Sequence, residues 1–96
     1  MPGYIIAKVK VTDMDQYKEY TKVTPSTIAK FGGKFLVRGG DVATLEGEEL
    51  SERVVVLEFP SIDQAKAWYY SPDYRDARKL REGAAQASFY AVDGVK

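Results

Sequence analysis

The chain has 96 residues, with 14 Lys and Arg against 14 Asp and Glu, and contains no His, Cys or Asn. That length holds one core, so one domain over residues 1–96 is expected, and 45% hydrophobic with 29% charged residues is the balance of a folded chain. The missing residue types exclude a Ser-His-Asp relay, a cysteine nucleophile, a disulfide, a zinc finger and a His-ligated haem. Zero net charge gives no electrostatic reason to expect nucleic acid or an anionic membrane as a partner.

The N-terminal MPGYIIAKVKV runs directly into a strand pattern, with no basic segment followed by a long apolar one. The apolar run Val54 to Leu57 is far too short to span a bilayer. A cytoplasmic location, without signal peptide or membrane span, is the expectation.

Tyr4 to Thr12 alternates and is rich in Ile and Val, which predicts the first strand. Asp13 with Gln16 has the spacing of a capping box and starts a helix near Met14. Pro25 interrupts the helical pattern, predicting a kink or a restart with Thr24 as cap, and Gly32-Gly33 stops it. Lys34 to Arg38 is strand two, bent at Gly39-Gly40, with Val42 to Leu45 as its possible continuation. EGEELSE, Glu46 to Glu52, reads as a solvated acidic hairpin tip without a calcium-loop pattern. Arg53 to Phe59 is strand three. Ser61 with Gln64 caps a helix over Ile62 to Tyr70, Ser71-Pro72 restarts it as far as Glu82, and Ala87 to Asp93 is the last strand.

The order β-α-β-β-α-β with right-handed crossovers predicts an α+β, ferredoxin-like fold with an antiparallel 4-1-3-2 sheet and both helical layers on one face. Strict alternation places Ile5, Ala7, Val9, Val11, Phe35, Val37, Val55, Leu57 and Phe59 beneath the helices. The other face then carries Tyr4, Ile6, Lys8, Lys10, Lys34, Leu36, Arg38, Val54, Val56 and Glu58. So much exposed apolar area calls for cover, and a second copy pairing sheet to sheet would supply it. Alternation also brings Lys8, Glu58 and Arg38 together, either as a structural ion-pair cluster or as an anion site that Glu58 orients.

The segments YIIAKVKVTD, KFGGKFLVRGGDV, VVVLEFPS and AWYYSPDYRDARKLREGAA, in that order, resemble the domain of unknown function 1330 family over nearly the whole chain. The resemblance implies ferredoxin-like domains pairing into a dimeric α+β barrel. That barrel also hosts small monooxygenases, muconolactone isomerases, haem-degrading enzymes and ligand-binding regulatory domains. Haem-degrading members of the wider superfamily use an Asn, a Trp and an axial His, and here only Trp68 has a counterpart. No assigned reaction comes with the family, and the fold alone supplies none.

The residues themselves offer two candidate groups. Lys34 and Arg38, within GGKFLVRGG, are potential anion receptors, although a helix stop and a strand bend account for all four glycines. Tyr17, Tyr20, Trp68, Tyr69 and Tyr74 lie at helical spacing and either line a helix–sheet cavity or simply pack the core. The expected ligand-binding set is Tyr17, Lys34, Arg38, Glu58, Trp68, Tyr69 and Tyr74, with no cofactor and no metal. The expected function is a homodimer that binds a small anionic or aromatic molecule between helices and sheet. Its alternatives are a non-catalytic sensing or structural module and a cofactor-independent monooxygenase- or isomerase-like enzyme.

Overall fold

Alternation along the first strand, β1 (Gly3–Val11), buries Ile5, Ala7 and Val9 on one side and leaves Ile6 and Lys10 exposed on the other. β1 lies at the centre of a four-stranded sheet in a computed structural model that describes residues 1–95. It pairs antiparallel with β3 (Arg53–Phe59) on one side and β4 (Ala85–Asp93) on the other. β2 (Lys34–Arg38) adds antiparallel to β3, giving the order β2-β3-β1-β4, which is the expected 4-1-3-2 read from the other edge.

Helix α1 (Met14–Lys30), α2 (Ile62–Tyr69) and α3 (Pro72–Lys79) pack on one face. The short polar residues that open them act as caps. Asp13 accepts the Gln16 N–H, Ser61 that of Gln64 and Ser71 that of Tyr74, each at 3.1 Å. The Asp13 box is only half formed. The Gln16 side chain turns away and donates to the Leu80 and Glu82 carbonyls at 3.1 and 2.7 Å, tying the start of α1 to the chain just beyond α3.

The core joins Ile5, Ala7, Val9, Leu57 and Phe59 of the sheet to Tyr17, Tyr20, Ile28, Trp68 and Tyr74 of the helices. Trp68, Tyr74, Phe59 and Leu57 are fully buried, each contributing about 1.5–3 kcal/mol by removal from water. Trp68 and Tyr74 stack with ring centroids 4.1 Å apart. Their polar atoms are satisfied inside the core. Trp68 Nε1 donates to Thr27 Oγ1 at 3.1 Å, and the Tyr20 and Tyr74 hydroxyls share a bond of 2.7 Å.

Three sequence expectations need correcting. First, α1 does not restart at Thr24 but runs through Pro25 as one helix. Second, Val42 to Leu45 does not prolong β2. Gly39, at φ +72°, gives its N–H to the Val54 carbonyl, and the chain then leaves the sheet until Arg53. Third, β2 does not alternate strictly. Phe35 faces Leu57 but Val37 faces Val56, so Leu36 is an extra residue in a bulge. Beyond it the sides exchange: Val37 moves to the open face, and Arg38, opposite Val55, moves beneath the helices.

Among the described residues, no helix is long and apolar enough to cross a membrane.

Candidate functional site

The bulge dissolves the expected Lys8–Glu58–Arg38 cluster. Arg38 is on the other side of the sheet, and Lys8 sits opposite Val54 and Ser88 rather than Glu58. Four residues along β1 separate Lys8 from Tyr4, the actual neighbour of Glu58, a distance of roughly 13 Å. Glu58 pairs instead with Lys34 across β2 and β3 at 3.3 Å. Burial, followed by the adjacent Glu58 carboxylate, raises the Tyr4 phenol above its ordinary pKa. Lys34 and Glu58 therefore stay on the open face, away from the helices.

Arg38 and Arg53 both lie on the helix side and line one cleft. The Arg38 guanidinium lies 4.4 Å from the centre of the Phe35 ring and donates from Nη2 to the Thr21 carbonyl at 3.0 Å. Thr21 is four residues before Pro25, whose missing N–H would otherwise close that helical bond. Arg53 faces Val9 on β1, so its side chain starts on the same side as Val55 and Leu57. Its guanidinium lies 5.8 Å from the centre of the Tyr17 ring and presses on the backbone at Gly39. A Cβ at Gly39 would stand 2.4 Å from Arg53 Nη1. The Arg53 Nε is buried without an acceptor.

These groups bound a cleft between α1 and the sheet, with Tyr17, Tyr20 and Phe35 as aromatic walls and a volume of ≈ 30 Å³. That is room for a few waters or a small anionic head group, not for a buried ring. Among the described residues no carboxylate lines it, and neither arginine takes part in a salt bridge. Burial pushes the Tyr17 phenol above its ordinary pKa, while Arg53 and Arg81 pull against it. At neutral pH Tyr17 therefore keeps its proton. The cleft offers guanidinium and phenol donors together, which is the chemistry that receives an anion.

The seven expected ligand-binding residues thus separate. Tyr17, Arg38 and Trp68 line this cleft. Tyr69 lines another cleft beside β4, with its hydroxyl accepting from Arg78 Nη1 at 2.7 Å. Tyr74 is enclosed in the core, where burial raises its pKa, and Lys34 and Glu58 lie on the opposite face of the sheet. Sequence reasoning missed Arg53. It stands two residues before Val55 in the alternation that marks the buried face, and that phase was the signal available.

Among solved structures, a protein of unknown function from Rhodopseudomonas palustris, RPA0582, is similar at 22% identity and TM-score 0.75, with 99% of this chain and 83% of that one covered. A dimeric ferredoxin-like protein of unknown function from Jannaschia sp. CCS1 gives 11% identity and TM-score 0.71, with 98% and 100% covered. A Caulobacter crescentus protein provisionally designated an antibiotic biosynthesis monooxygenase gives 20% identity and TM-score 0.61, with 99% and 91% covered. At such identities the likeness is one of fold. No curated protein matches the chain. The family described as Domain of unknown function (DUF1330) matches residues 2–95. The chain belongs to the DUF1330 family.

Proposed function

We propose that the protein is a homodimer that binds a small anion, such as the carboxylate of a small organic acid, in the cleft between α1 and the sheet. The carrying observation is that Arg38 and Arg53 both line a cleft that, among the described residues, no acidic residue lines. Two guanidiniums that line one cleft without a carboxylate beside them lack a counterion there, and a bound carboxylate supplies it. Tyr17 adds a protonated hydroxyl nearby. The lining residues hold hydrogen-bond donors but no group poised as a base at neutral pH, which favours binding over proton-transfer catalysis.

The dimer rests on the open face of the sheet. Ile6, Val37, Tyr90 and Val92 are all more than a third exposed there, and the Jannaschia protein of the same fold is dimeric. A second copy laid sheet to sheet covers this area.

Titration of the full-length protein with formate and acetate, read at the arginine Nε–H signals by NMR, tests the site. Saturable shifts at Arg53 and Arg38, abolished by Arg53→Gln, are expected. Their absence from the unsubstituted protein, or their survival in Arg53→Gln, would overturn the reading.

A further inference from the structure

On the helix side of β4 the side chains become small. Ala87 and Ala91 stand opposite Val9 and Ile5 of β1. Larger residues fill these levels on β1, whereas β4 leaves the floor open. Above that floor is a cleft of ≈ 380 Å³, distinct from the narrow one beside α1 and separated from it by Phe89, which lines both. Its size is within the range of small-molecule sites.

The walls of this cleft are aromatic. Tyr69 and Tyr70 meet edge to face, with centroids 5.3 Å apart and planes at 89°, and form a corner. The Phe89 ring stands 5.6 Å from that of Tyr69. Tyr70 is 73% exposed, an unusual amount of ring surface to leave in water beside a cavity. Two cations complete the lining. Arg81 lies over the Phe89 ring at 5.3 Å with its Nε unpartnered, and Lys66 comes from α2. Among the described residues neither takes part in a salt bridge, and no acidic residue lines the cleft.

We infer that this cleft is a second binding site, specific for a planar aromatic anion. The ring would lie on the alanine floor against Tyr69 and Phe89, with its carboxylate towards Arg81 and Lys66. An aliphatic acid would forgo the ring contacts, and a neutral aromatic would leave both cations without a counterion. The inference is independent of the Arg38–Arg53 site, because the two clefts take their charge from different residues.

The test uses the full-length protein with alanine methyl groups labelled for NMR, and 2-naphthoate as probe against uncharged 2-naphthalenemethanol. Saturable shifts of the Ala87 and Ala91 methyls by 2-naphthoate are expected, with the alcohol binding about tenfold or more weakly. Ala87→Leu fills the floor and should abolish binding. If that variant fails to fold, Ala91→Leu, at an exposed position, decides in its place. Lys66→Gln should weaken 2-naphthoate several-fold without changing the affinity for the alcohol, and Arg53→Gln should leave both unchanged. The site is refuted if the two probes bind equally, if the filled-floor variants bind as the unsubstituted protein does, or if the shifts appear at Arg38 and Arg53 instead.

Discussion

Arg38 fills the hydrogen-bonding gap that Pro25 opens in α1. A proline in a helix interior strips the carbonyl four residues earlier of its donor, and here the guanidinium of a neighbouring strand reaches that carbonyl at 3.0 Å. The two residues should therefore be coupled in stability. Arg38→Ala should cost about 1 kcal/mol where Pro25 is present and much less in a Pro25→Ala background, where the helix supplies its own N–H. Urea denaturation of the four members of this double-mutant cycle measures the coupling. A coupling near zero would separate Arg38 from the proline.

Gly39 makes room for Arg53. Gly39→Ala combines a φ of +72° with a Cβ driven into the guanidinium, so it should destabilise by about 1–2 kcal/mol and displace Arg53 from the cleft. Gly40, whose added Cβ would meet nothing within 4 Å, is the control. Gly40→Ala should change stability by no more than about 0.5 kcal/mol. Chemical denaturation of the two variants side by side tests the contrast.

The Tyr20–Tyr74 hydroxyl bond lies inside the core, so removing one partner strands the other. Tyr74→Phe should cost about 1–3 kcal/mol, and adding Tyr20→Phe should recover part of that loss. Calorimetric unfolding of the single and double variants would show it. A double variant no more stable than the single would mean that the hydroxyl left behind had found another partner.

Alkaline stability follows from the same tyrosines. Burial raises the pKa values of Tyr17, Tyr20 and Tyr74 in the folded chain above the ordinary 10.0. The unfolded chain therefore loses these protons first. Their contribution is fully present below pH 10 and declines as the pH rises from there towards the folded values. Urea midpoints between about pH 8 and pH 11 should fall at the alkaline end, and less steeply in the Tyr20→Phe, Tyr74→Phe double variant. Equal slopes would place the alkaline loss in other groups.

The open face gives a prediction about mass. Ile6, on the central strand between Val56 and Tyr90, is 37% exposed. Ile6→Glu should leave the folded chain near 10.7 kDa in light scattering, where the unsubstituted protein should give twice that mass. A variant that retains the doubled mass would move the interface elsewhere.

The strand order and the helix starts were legible because each has a local signature. Ile5, Ala7 and Val9 alternate, and Ser61 and Ser71 stand where caps belong. The side of the sheet that Arg38 serves was not legible. The extra residue is Leu36, an ordinary strand former, while the glycines that advertise irregularity come after Arg38. The spacing of the aromatic residues leaves open whether they line one cavity or pack the core, and both occur: Tyr74 is enclosed against Trp68, whereas Tyr17 and Tyr69 line different clefts. Spacing along a helix tells which residues share a stripe. It does not tell whether their rings close up against one another or leave a gap.

Leu36 acts as a parity switch. With an odd number of residues inserted before Arg38, an arginine counted to the open face reaches the cleft instead. A strand that kept this residue but paired regularly would carry the arginine to the open face, whereas one lacking the residue altogether would alternate Phe, Val and Arg and keep the arginine opposite Val55. The side of the sheet that such an arginine serves therefore depends on whether the strand bulges between Phe35 and Arg38, not on finding an arginine in the strand.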